Sequence, residues 1–135
     1  MSVIVTDRGF APDDWPNGWA DAPGGAAGLH LPADADPEAL RPHLDRIAAI
    51  RIPLAAFSDG RGFTLAARLR RMGFTGRLRA VGHVLADQYA MARRSGFDEV
   101  EIDAALAARQ PETDWLARAD WQAHDYRAKF RGSAA

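Results

Sequence analysis

The sequence predicts an α/β fold: a small parallel sheet of about four strands built from βα units, three-layer or half-barrel in form, with a C-terminal amphipathic helix. Three observations carry this reading. Between Ile50 and Ile102, three short apolar runs are separated by two amphipathic stretches, the strand–loop–helix order of parallel units. The helical stretches close on Gly73-Phe74-Thr75-Gly76 and on Ser95-Gly96, where glycine accepts a left-handed cap. After Pro111, the residues Leu116, Ala119, Ala123, Tyr126 and Phe130 recur at helical steps, an apolar stripe joined by Trp115 and Trp121. The chain divides into an N-terminal segment (1–27), an α/β core (28–105) and a terminal helical region (106–135) that packs on the core or on a partner.

Each element has a local reason. Val3-Ile4-Val5-Thr6 is a β-branched run ending in the turn residues Asp7-Arg8-Gly9. With Trp15 and Trp19 it reads as a small strand or hairpin packed by its tryptophans. Ala22 to Gly28 is a flexible link, and Gly28-Leu29-His30-Leu31 is the first core strand. Asp36-Pro37 opens a helix with a cap and a proline at its first position. Leu40, Leu44 and Ile47 form its apolar face, and Pro42 kinks it or delays its start.

Ile50 to Phe57 is apolar on both faces, as a buried parallel strand should be, although Pro53 interrupts it. Phe63 to Met72 is the second helix, with Leu65, Leu69 and Met72 turned inward. Arg77 to Val81 is the third strand, broken by Gly82, and Val84 to Arg94 is the third helix. Phe97 to Ile102 alternates apolar and acidic residues, the pattern of a half-exposed strand at a sheet edge.

Composition narrows the function. Hydrophobic residues are 47% and charged residues 26%, ordinary for a globular chain. No apolar stretch approaches the ~20 residues that span a bilayer. Met1 to Asp7 lacks the basic start and apolar core of a signal peptide, so a cytoplasmic protein without a membrane partner is expected. With no cysteine, the chain has no disulfide, no thiolate nucleophile and no cysteine-held iron–sulfur cluster. His30, His43, His83 and His124 lack the spacing of a helical metal site, and no flavin or nicotinamide fingerprint is present. No metal and no cofactor are therefore expected. A net charge of −1 and a pI near 6.4 speak against nucleic acid. The charge is uneven, however: eight arginines against Asp87 lie within residues 61–97, between two acidic flanks. Such a middle either attracts anions or coats the solvent sides of two helices through Arg68, Arg71, Arg93 and Arg94.

In parallel α/β units ligands gather where the strands end, which singles out Asp59, Arg61, Arg79, His83 and Gln88 as a ligand-binding set. Ser58-Asp59-Gly60-Arg61-Gly62 joins a strand to a helix; its glycines let backbone amides approach an anion, and Arg61 adds a forked donor. Equally, Asp59 suits a turn or helix cap. His83 opens the equivalent corner of the next unit as an acid, base or anion ligand. Gln88 falls on the inward face of its helix, where a buried amide needs a partner, while Asp87 on the opposite side is free to pair with an arginine. Arg79 stands in an apolar strand and must be paired if buried; Asp59, Glu101 and Asp103 are the nearest acids, and a structural ion pair ranks ahead of anion recognition. Asp103 suits a helix cap. No catalytic residue is assigned, since no nucleophile–base–acid order or metal quartet is visible.

Three blocks carry a resemblance: Phe57-Ser58-Asp59-Gly60-Arg61-Gly62-Phe63-Thr64, Leu78 to Gln88, and Arg94-Ser95-Gly96-Phe97-Asp98. Together, across residues 28–105, the chain resembles a domain-of-unknown-function family of small bacterial proteins encoded beside assimilatory sulfite reductase and described as oxidoreductases of sulfite reduction. The resemblance implies a role in sulfur assimilation. This chain departs from the family at Ser95, where members often carry cysteine, and at His83, where they often carry aspartate. Two functions are then expected to compete: an accessory protein that binds sulfite reductase or a pathway partner without chemistry of its own, and an enzyme or sensor that binds a small anion or phosphorylated ligand at the strand ends. A homodimer suits either architecture.

Overall fold

The βα alternation closes into one sheet of six strands, more than the four or so expected. The computed structural model describes residues 2–23, 27–54, 60–82, 84, 86–119 and 121. Its strands are β1 (Ser2–Thr6), β2 (Gly9–Ala11), β3 (Gly28–His30), β4 (Ala49–Leu54), β5 (Arg77–Gly82) and β6 (Glu99–Asp103). They lie in the order β2-β1-β6-β5-β4-β3. Strands β3 to β6 run parallel, as the sequence predicts. The two additional strands come from the N-terminal segment, whose hairpin adds β1 antiparallel to β6.

That addition corrects the reading of β6. A strand alternating apolar and acidic residues looks like an edge, yet β6 lies inside the sheet, between β1 and β5. Glu99 and Glu101 are buried there because arginines on neighbouring strands meet them. Pro53 also has an explanation. In β4 the Arg51 carbonyl accepts from Leu31 N at 2.8 Å, so residues of that parity point their backbone groups toward β3. The missing proline N–H faces the same side, beyond the last ladder pair of β3, His30 with Arg51.

The helices are α1 (Arg61–Arg71), α2 (Tyr89–Ser95), α3 (Ala104–Arg109) and α4 (Glu112–Leu116), with 3₁₀ turns at Pro37–His43 and Ala86–Gln88. The expected cap is present: the Asp36 carboxylate accepts from Glu38 N at 3.0 Å. The segment stays 3₁₀ through Pro42, which has no N–H for an α-helical bond. Helix α4 starts from Pro111 with no side-chain cap. The later part of the expected C-terminal stripe, Ala123, Tyr126 and Phe130, lies outside the described residues. Among the described residues no helix is long and apolar enough to cross a membrane.

Period-two alternation gives the sheet two unlike faces. One presents Val5, Leu29, Ile50, Ile52, Leu78, Ala80, Val100 and Ile102, the core on which Leu65, Leu69, Phe97, Leu106 and Trp115 pack. The other presents His30, Arg51, Arg77, Arg79, Glu99 and Glu101. Helices cover the apolar face, while Pro12 to Asp21 crosses the charged one. The expected three-layer or half-barrel arrangement is therefore replaced, among the described residues, by an open sheet with helices on one side and an irregular strap on the other. Both sheet edges are occupied. Ala20 forms a parallel bridge to Leu29 beside β3, and Glu112 Oε2 accepts from Phe10 N on β2 at 2.8 Å.

Gly82 ends β5 with φ near +127°, and a Cβ there would sit 2.8 Å from the Leu54 carbonyl oxygen. Gly82→Ala should cost about 1–3 kcal/mol in urea unfolding, from left-handed strain and backbone crowding together. An unchanged midpoint would show that this corner relaxes freely.

Candidate functional site

Arg79 organises the charged face. Register places it directly beside Arg51 on β4 and Glu99 on β6. Its side chain is fully buried. Nε donates to Glu99, Nη1 to Glu101 Oε1 at 2.9 Å, and Nη1 and Nη2 fork onto the Asp13 carboxylate at 3.1 and 3.0 Å. Arg77 donates to Glu99 Oε1 at 2.8 Å and to Asp14. Arg51 lies 3.7 Å from Glu101 and donates through Nε to His30 Nδ1 at 3.1 Å.

Aromatic rings complete the cover. The Trp19 ring centroid is 5.1 Å from the guanidinium carbon of Arg51 and 5.3 Å from that of Arg79. Trp15 stacks on Trp19 at 5.4 Å, and its indole N–H donates to the Gly18 carbonyl at 2.7 Å. Cation–π contacts strengthen when water is excluded, as it is from Arg79.

These contacts set the charges. Hydrogen bonds from Arg79 hold Asp13 below the ordinary carboxylate range, against the opposing effect of partial burial. Arg77 does the same for Asp14. Burial opposes the charge on Arg79, but the bonds to Asp13 and Glu99 outweigh it and the group is held more firmly protonated than usual. His30 moves the other way: burial, then the positive charge of Arg51, pushes its imidazole below the ordinary value.

The strand-end rim lies elsewhere. Between the loop after β3 and the start of α1 is an open groove of about 420 Å³, bordered by Asp34, Pro37, Gly60, Arg61, Thr64 and Arg68. The first turn of α1 carries no acidic side chain, and Gly60 at its N-cap offers no side-chain acceptor. Arg68 reaches Glu38 at 3.4 Å. Arg61 thus borders the groove, Gln88 is buried in the 3₁₀ turn before α2 and does not line it, and Arg79 is on the opposite face of the sheet. Asp59 and His83 lie outside the described residues.

Other side chains take the roles their chemistry suggested. Asp103 caps α3 by accepting from Leu106 N at 2.7 Å. Asp87 pairs with Arg118 at 2.8 Å. Of the three acids considered for Arg79, Glu101 is a partner; Glu99 and Asp13 were missed. Glu99 was discoverable, since it shares the alternation of Glu101, two residues on. Asp13 was not, because nothing local says that a Pro-rich segment folds across the sheet.

Comparison with known proteins places the chain in a family. The family described as bacterial protein of unknown function (DUF934) matches residues 28–134, and the chain belongs to it. No curated protein matches.

Arg79→Gln removes the cation shared by Glu99 and Glu101 and should cost about 3–5 kcal/mol in urea unfolding, since each of two buried carboxylates keeps only one of its two arginines, Arg77 or Arg51. A loss below 1 kcal/mol would show that water enters the face freely. Because the folded His30 imidazole binds its proton less readily than the unfolded one, the unfolded chain takes up more protons in mild acid. The His30 contribution is therefore full above about 6.5, the ordinary imidazole value, and is lost as pH falls below it. His30→Gln should flatten the pH dependence of the melting temperature in that window, and an unchanged slope would exclude His30 as its source.

Proposed function

We propose that this chain is an accessory protein of assimilatory sulfite reduction, which binds sulfite reductase or a pathway partner without chemistry of its own. One observation carries the reading. Arg79, one of the five residues the sequence groups as a ligand-binding set, has its guanidinium engaged by Glu99, Glu101 and Asp13. It sits across the sheet from Arg61 and the strand-end groove. Its bonds knit the N-terminal segment to the sheet and build a surface, the arrangement a binding protein needs. The link to sulfur assimilation comes from the resemblance of the Phe57–Thr64, Leu78–Gln88 and Arg94–Asp98 blocks.

A second reading is supported by the groove itself. Arg61 and Arg68 border it beside Asp34, and the start of α1 faces it, so a small oxyanion or phosphorylated ligand is the occupant this reading assigns. There the chain would be an anion-binding enzyme or sensor.

Co-purification with the intact reductase from the same cells, under assimilatory growth, tests the first reading; retention of the reductase on the tagged chain is expected. Failure to retain it, together with a rise in melting temperature on sulfite, sulfate or phosphate that Arg61→Ala abolishes, would replace the first reading with the second.

A further inference from the structure

The segment Pro12 to Asp21 covers a face that would otherwise present Arg51, Arg77 and Arg79. Its attachments are charged, aromatic or backbone in kind: Asp13 in the fork of Arg79, Asp14 on Arg77, Trp19 against Arg51 and Arg79, and the bridge at Ala20. Beneath it, the three arginines face Glu99 and Glu101, so the sheet alone carries one excess positive charge, and the strap's Asp13 and Asp14 bring the cluster to three arginines against four carboxylates. The latch is accessible from outside. The Asp13 and Asp14 side chains are 36% and 73% exposed, whereas that of Arg79 is 0% exposed. A competing carboxylate can therefore meet Arg77, itself 26% exposed, from solvent, and reaches Arg79 once the strap lifts.

The forked contact of Arg79 on Asp13 is the geometry by which guanidinium groups recognise carboxylates generally. The strap also states the chemistry that suits this face: an extended chain, acidic at neighbouring positions, with a tryptophan a few residues on to lie against the arginines. We propose that Asp13 and Asp14 are the internal occupants of an arginine-built acid-recognition face, and that an acidic, tryptophan-bearing segment of a protein partner displaces them and takes that face. The inference carries the partner-binding reading further by naming what the partner presents. Tethering gives the strap a high effective concentration, so the face is closed until such a segment competes or the latch is weakened.

The test uses the full chain and a synthetic peptide with the strap sequence Pro12 to Asp21, titrated while the β5 and β6 amides are followed by NMR. The double variant Asp13→Asn/Asp14→Asn should bind the peptide about tenfold or more tightly than the native chain, because its own strap competes less well. The same peptide with both aspartates changed to asparagine should lose that advantage. Equal binding of the two peptides, or no binding to the double variant, would overturn the proposal. Displacement of the peptide by equimolar sulfate would overturn it too, by making the face a site for free oxyanions. Should the double variant fail to fold, Asp14→Asn alone, altered at the more exposed contact, should still gain roughly threefold in peptide affinity, and no gain would count against the latch. Peptide titration succeeds or fails independently of co-purification with the reductase, so the two ideas fall separately.

Discussion

A buried guanidinium in the middle of a parallel strand constrains everything around it. Arg79 sits where a doubly covered sheet would place valine or isoleucine, and a charge there is tolerated only if every donor finds an acceptor. The structure meets that demand from two directions. Glu99 and Glu101 come from the neighbouring strand β6, and Asp13 comes from a segment far away in sequence. Among the described residues, no buried side-chain nitrogen or oxygen lacks a hydrogen-bond partner. The charged face thus explains why, among the described residues, the helices lie on one side of the sheet and the other side is closed by an irregular strap rich in aspartate and tryptophan.

Much of the core was legible because it is built from local rules. Leu65 and Leu69 declared the buried face of α1, Gly96 declared a left-handed helix end, and Asp36-Pro37 declared a capped turn. The errors share one cause, the distance between partners. Alternating acids in β6 look solvated until Arg77 and Arg79 are known to lie beside them. The hairpin at Asp7-Arg8-Gly9 was readable as a hairpin, but its pairing with β6 connects residues about a hundred positions apart, which no periodicity reports. Asp7 shows the same limit. It accepts from Tyr89, Arg93 and Trp121, tying the hairpin turn to α2 and to the tryptophan that follows α4.

The candidate functional residues divide along the same line. The strand-end rule directed attention to the corner that holds Arg61, which borders an open groove. It could not foresee that Arg79, in mid-strand, projects from the other face; one residue of register decides between core and surface in a strand. The molecule thus has two distinct arginine-bearing regions, a groove beside the start of α1 and a guanidinium platform covered by its own carboxylates. Of these, the platform has the more fully determined chemistry, since its acceptors, donors and aromatic cover are all supplied by described residues.

The most direct measurement is the arginine side-chain Nε–H spectrum of the native chain by NMR, recorded with and without Asp13→Asn. The Arg79 Nε–H should exchange with water far more slowly than that of Arg68, which is half exposed, and should shift when Asp13 is altered. An Arg79 signal that exchanges as fast as that of Arg68, and is indifferent to Asp13, would contradict the account of a buried guanidinium clamped between sheet and strap.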